Sequence, residues 1–190
     1  MARQRDEPRD AVRILAPGAL ALVTTMYRDQ PNVMTAGWLL PLSFEPALIG
    51  VAIHPGRLTH EFASKSEVFA LNIPTVDLIG AVHYCGLTSG NEVDKWAATG
   101  LTPEEALEIG APLVAECVAQ IECGVIDRRA WGDHDLFVGR VLALQTEDEA
   151  FNGTWQVETD AGRLLHHLGA DRYAGLGRIY GAQPPEREER

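Results

Sequence analysis

The stretch Pro112 to Asp127, PLVAECVAQIECGVID, narrows most sharply what this chain can fold into. Leu113, Ala115, Cys117, Ala119, Ile121 and Cys123 alternate with Val114, Glu116, Val118, Gln120 and Glu122. A period of two with a mostly polar second face marks a strand buried on one side only. A second long strand, Asp135 to Thr146 within HDLFVGRVLALQTED, follows, with Gly139 as a bulge or a close backbone approach. Ala19 to Met26, Ala47 to Ile53 and Val68 to Ile73 are shorter apolar runs, each bounded by Gly, Pro, Asn or Asp. Many strands at short intervals predict a mainly β fold with inserted helices, an antiparallel barrel rather than a βαβ sheet.

Helical signals are fewer. Thr59 to Glu67 carries a threonine cap with acid in its first turn, and Thr75 to Gly86 starts on a threonine after Pro74 and ends in glycine. Thr102 to Gly110, TPEEALEIG, has cap, first-turn proline, two glutamates and a closing glycine.

With 190 residues, 46% hydrophobic and 23% charged, the chain is sized for one domain, taken as residues 14–180. The charged ends, MARQRDEPRD and GAQPPEREER, predict flexible tails over 1–13 and 181–190. A formal net charge of −11 argues against nucleic acid or an anionic membrane as partner, so any bound phosphate must be met by local positive charge. No window approaches the roughly 18 to 20 apolar residues of a membrane span, and the N-terminus lacks the apolar core of a signal peptide. Three cysteines without close pairing agree with a reducing, cytoplasmic setting.

Several chemistries lack their motifs. No CxxC, HExxH or tight His/Cys cluster suggests a metal, and Cys117 and Cys123 fall together on an apolar strand face. Ser64, Ser66 and Ser89 sit in no GxSxG elbow, and neither GxGxxG nor GxxxxGK[ST] occurs. Two segments remain. His54 to His60, HPGRLTH, ends a strand and opens a helix, so backbone N–H groups, Arg57 and the Thr59 hydroxyl either cradle a phosphate or are a capped helix beside a surface arginine. Cys85 to Trp96, CGLTSGNEVDKW, is a long loop that either wraps an anion, with Gly90 permitting close approach and Lys95 as cation, or only connects helices.

The segment Asn32 to Trp38, NVMTAGW, is unlike a core-filling strand, because Asn32, Thr35, Ala36 and Gly37 stand where branched and aromatic residues are usual. In order, PGALALVTT, PNVMTAGW, PLSFEPALIGVAIHPGRLTHEF, FALNIP, HYCGLTSGNEVDKW, TGLT, APLVAECVAQIEC and HDLFVGRV resemble the flavin reductase-like family of FMN-binding split barrels, which includes flavoredoxin, over roughly residues 14–175. That resemblance implies a homodimeric split β-barrel of Greek-key type with one FMN per subunit near the dimer interface. It also implies NADH or NADPH as transient co-substrate and a monooxygenase or redox protein as acceptor, or else a non-enzymatic electron carrier.

By the same resemblance, Asn32, Thr35, Ala36, Gly37, Trp38, Leu39 and Leu40 lie along the flavin, the small residues letting backbone groups reach the ring edge. Ser43, Arg57, Thr59 and His60 match positions around the ribityl phosphate. Ser89, Gly90 and Lys95 match the loop closing over the cofactor. His134 and His167 match side chains that contact the ring. Asn91 departs from the family, where Arg commonly follows the Ser-Gly pair, and so bears on substrate preference. No acid–base or nucleophile constellation is expected, since a flavin carries its own chemistry.

Overall fold

A computed structural model describes residues 7–8 and 10–181 of the chain. The elements that matter run in order: α1 (Asp10–Leu15), β1 (Gly18–Ala19), β2 (Ala21–Tyr27), β3 (Gln30–Ala36), β4 (Leu39–Ser43), β5 (Leu48–Ile53), α2 (Leu58–Ser66) and β6 (Val68–Ile73). A 3-10 turn (Val76–Leu78), α3 (Ile79–Leu87), α4 (Lys95–Thr99), β7 (Pro103–Glu104) and β8 (Leu113–Val114) follow. The chain then forms β9 (Ala119–Trp131), β10 (His134–Thr146), β11 (Leu165–Gly169) and β12 (Arg172–Gly175). Helix α1 begins ahead of the expected domain start at residue 14, and the rest of the expected tails falls largely outside the described residues.

Seven strands form one antiparallel sheet in the order β3-β2-β6-β9-β10-β5-β4. Its two edge strands, β3 and β4, are consecutive in sequence and joined by only Gly37 and Trp38. Laid flat, seven strands with about 4.8 Å between neighbours would hold those edges about 29 Å apart. The link from Ala36 to Leu39 reaches at most about 11 Å. The sheet must therefore roll up, and the Trp38 carbonyl, accepting from the Ala52 N–H at 3.0 Å, fastens the seam onto β5. The result is a split barrel whose seam is the small-residue stretch the sequence singles out.

Side-chain alternation fills the barrel from within. Ala21, Val23, Met34, Val51, Phe69 and Phe137 meet in one buried cluster, while Leu22, Val33, Val82, Trp96 and Leu165 form a second between the sheet's outer face, α3 and α4. Gly139 sits at a register shift in the β9–β10 pairing, and a Cβ there would come within 2.6 Å of the Phe69 ring. The β9–β10 hairpin turns on Gly132, whose φ of 67° suits the first central position of a type II′ turn.

Three expectations change. Thr102 to Gly110 forms no helix: only the two-residue strand β7 is regular there. The reason is Glu122, fully buried on β9, whose carboxylate accepts from the N–H groups of Leu107 at 2.9 Å, Glu108 at 2.7 Å and Ile109 at 3.2 Å. The single strand expected from Pro112 breaks between β8 and β9, where Cys117 bonds back to Val114. Thr59 does not cap α2 either; Arg57 holds the cap position in extended conformation, and Thr59 lies buried within the first turn. Among the described residues, no helix is long and apolar enough to cross a membrane.

Candidate functional site

A cleft of about 520 Å³ opens at the barrel seam. Its floor is the end of β3 and the connector, Met34 to Trp38, and its far side is the end of β5 with Arg57. Here the small residues have a geometric use, because Thr35, Ala36 and Gly37 leave the backbone bare where larger side chains would fill the space. The volume lies in the range of cofactor pockets, roughly 300 to 1,000 Å³.

One wall is aromatic. The Trp38 and His134 rings lie 4.6 Å apart between centroids, and His54 meets His134 edge-on at 5.4 Å. His134 Nδ1 is 2.7 Å from Asp133 Oδ1, and this hydrogen bond is the main reason the Asp133 carboxyl sits below its ordinary pKa. His54 Nδ1 accepts from the Gly56 N–H at 3.0 Å, which fixes the ring and places its remaining N–H at Nε2. Trp38 and His134 were expected at a flavin; His54 was seen only as the start of a turn, and its place at the end of β5 is the signal that could have found it.

The cleft's other end is polar and positive. Asn32, Arg57, Thr59, Ser89, Gly90 and Lys95 gather around a hollow of only about 10 Å³, the room of a single water. Asn32 Nδ2 donates to the Thr59 hydroxyl at 2.7 Å, and Gly90 packs so closely that a Cβ would strike the Asn32 amide oxygen. Lys95 is buried, and its ammonium donates to the carbonyls of Val33 at 2.8 Å and Cys85 at 3.1 Å. Burial chiefly, and the nearby Arg57 charge to a lesser degree, lower the Lys95 pKa, opposed by Cys85. The lysine therefore braces β3 against α3 rather than reaching into open space.

Met34 and Arg57 line both the hollow and the cleft, and Arg57 is the charged one of the two, so an anionic group would sit at the hollow's mouth. No side chain caps α2, which leaves first-turn N–H groups at the same mouth for an acceptor. Asn91 lies on the exposed loop, its N–H donating to the Ser89 hydroxyl at 3.2 Å. An elongated ligand with an anionic end and a flat ring fits this layout: anion at Arg57, ring along the seam against Trp38 and His134. These are the features of FMN, whose phosphate carries nearly two charges at neutral pH.

The remaining expected residues lie apart from the cleft. Leu39 packs into the barrel core, and Leu40 covers Gly50 on the outer surface. Ser43 pairs with Leu48 at the far end of β4. His60 turns under α2, its Nε2 2.9 Å from Asp135 Oδ2 and its ring edge-on to Phe137. His167 lines a smaller neighbouring cavity, where its Nε2 is 3.0 Å from the Ala170 carbonyl.

Comparison with known proteins identifies the family of the fold. The chain is 38% identical to an uncharacterized protein of Pyrococcus abyssi over 76% of its own length and 83% of that protein's. It is 30% identical to an NADH-dependent FMN reductase of Streptomyces nodosus subsp. asukaensis, covering 87% of this chain and 83% of the relative. Among solved structures, an FMN-binding protein from Thermus thermophilus superposes with a TM-score of 0.83 at 29% identity, covering 96% of this chain and 99% of that one. Residues 14–173 match the flavin reductase like domain, and by that match over most of its length the chain belongs to the flavin reductase-like family.

Proposed function

We propose that this protein binds FMN at the barrel seam and is an NAD(P)H-dependent flavin reductase. The observation that supports it best is the cleft, which a bare backbone, an aromatic wall and the exposed Arg57 cation line together. When bound, FMN supplies the redox chemistry, taking a hydride from the nicotinamide and passing electrons to an acceptor. The chain's own residues do the rest. Arg57 and the first turn of α2 hold the phosphate, and Thr35 to Gly37 let the ring lie against the backbone. Trp38 and His134 shield one side of the ring from water, and Asp133 fixes the His134 ring.

The active unit in this reading is a homodimer. Edge strand β4 and the residue beyond it expose Leu40, Leu42 and Phe44 beside Trp38, an apolar strip that a second copy would cover.

The test is the anaerobic visible spectrum of FMN-reconstituted, desalted protein before and after NADH or NADPH. Rapid bleaching by one nucleotide is expected and names the donor. Bleaching by dithionite alone would leave an electron carrier. Arg57→Ala is expected to weaken FMN binding about 10- to 100-fold, the loss of a charge-assisted hydrogen bond, with little change in melting temperature. Lys95→Ala is expected to lower the melting temperature, because it leaves the buried Val33 and Cys85 carbonyls short of a donor. Unchanged FMN affinity in Arg57→Ala would remove the phosphate assignment.

A further inference from the structure

A second cavity, of about 220 Å³, shares Thr35, Gly37 and Trp38 with the cleft but is otherwise built by other residues. A liquid water takes about 30 Å³ and benzene fits an apolar cavity of about 150 Å³, so there is room for one substituted ring and not for a dinucleotide. Leu20, Val82 and Leu87 make the walls apolar, and among the described residues no Lys, Arg, Asp or Glu lines the space. Its polar groups are few and positioned. The Thr35 hydroxyl donates to the Val82 carbonyl at 2.6 Å, which leaves it only lone pairs to offer. His167 turns its Nε2 to the Ala170 carbonyl at 3.0 Å. His83 Nδ1 and the Tyr173 hydroxyl lie 2.9 Å apart, their rings edge-on at 5.8 Å.

The His83–Tyr173 pair joins α3 to β12, ninety positions apart in sequence, and neither residue has a part in the cleft. With the proton on Nδ1, His83 donates to the Tyr173 oxygen and frees the phenol O–H for an acceptor in the cavity. We propose that this cavity is a binding site for an uncharged single-ring carbonyl compound, its carbonyl oxygen accepting from the Tyr173 hydroxyl and its ring lying among Leu20, Val82 and Trp38. Burial, with the Asp171 charge second, raises the Tyr173 pKa further above neutral, where the phenol is already protonated. A carboxylate would find no cation among the described residues there, and a purely hydrocarbon ring would leave the phenol O–H without its partner. The site goes beyond the flavin reading and does not depend on it, because none of these contacts requires a flavin.

The probe is acetophenone, followed by saturation-transfer NMR and calorimetry on flavin-free protein, with ethylbenzene and benzoate as controls. Saturable acetophenone binding is expected, with ethylbenzene weaker and benzoate undetected. Tyr173→Phe is expected to weaken acetophenone about 3- to 10-fold and leave ethylbenzene unchanged, the signature of one lost neutral hydrogen bond. Gly86→Leu, which fills the cavity from α3 with a strong helix former, is expected to abolish binding of both. FMN titration of the same variant reads the cleft separately, so failure of one site is distinguishable from failure of the other. Equal affinity for acetophenone and ethylbenzene, an unaffected Gly86→Leu variant, or displacement of acetophenone by NADH would each overturn the assignment.

Discussion

The three cysteines show how position changes a residue's chemistry. All are free and buried: Cys85 on α3, Cys117 before β9 and Cys123 within it. Burial pushes the Cys85 thiol up to about 11, with Lys95 pulling the other way, and pushes Cys123 to about 12 and Cys117 higher still, each helped by a neighbouring glutamate. A raised thiol stabilises the fold fully below its unfolded value of 9.0, and that stabilisation is lost as pH rises, since the unfolded chain ionises first. Each thiol is therefore expected to cost about 1 kcal/mol of stability between pH 9 and 10. Chemical denaturation at pH 8, 9 and 10 checks this, comparing the protein with a variant carrying Ala at all three positions. The variant should decline less steeply, and parallel declines would assign the loss to other groups.

Elements were legible where their signals are local. Strand β6 runs from Val68 to Ile73 as its composition implies, β10 begins one residue before the expected Asp135, and the register shift falls at Gly139. The seam was legible too, because small and polar residues in a strand signal something close by, and the cleft lies there. Thr102 to Gly110 failed for the opposite reason: its cap, proline and glycine are local signals, but its N–H groups go to a carboxylate on a distant strand. The period-two reading put Glu122 on the wet face, and the segment that covers it cannot be seen from the strand alone. The family pattern singles out Arg57, Trp38 and His134, which line one cleft, whereas His83 and Tyr173 meet only through tertiary structure. Glu122→Ala is expected to destabilise the protein by about 3 kcal/mol, because it removes a fully buried carboxylate and the acceptor of three backbone N–H groups. Hydrogen exchange should quicken at Leu107, Glu108 and Ile109 well before the rest of the sheet. Unchanged protection there would mean that packing, not the carboxylate, holds the segment.

At the scale of the molecule, one connection sets both the shape and the site. Joining the two edge strands through Gly37 and Trp38 rolls the sheet up, and the cleft lies along that connection. The same connection leads into β4, an edge strand that a monomer would leave with Leu40, Leu42 and the wholly exposed Phe44 in water. An edge of that kind invites pairing with another chain unless charge or a covering segment blocks it. Leu42→Glu combined with Phe44→Glu would place two like charges in the middle of the proposed contact while leaving the cleft's own residues intact. Light scattering should read a dimer for the native chain and a monomer for the double variant. If the dimer and FMN retention are lost together, the second copy completes the pocket; if the dimer alone is lost, each subunit holds its cofactor independently. A native chain that is monomeric at micromolar concentration would overturn the proposed assembly and leave the apolar strip to another partner.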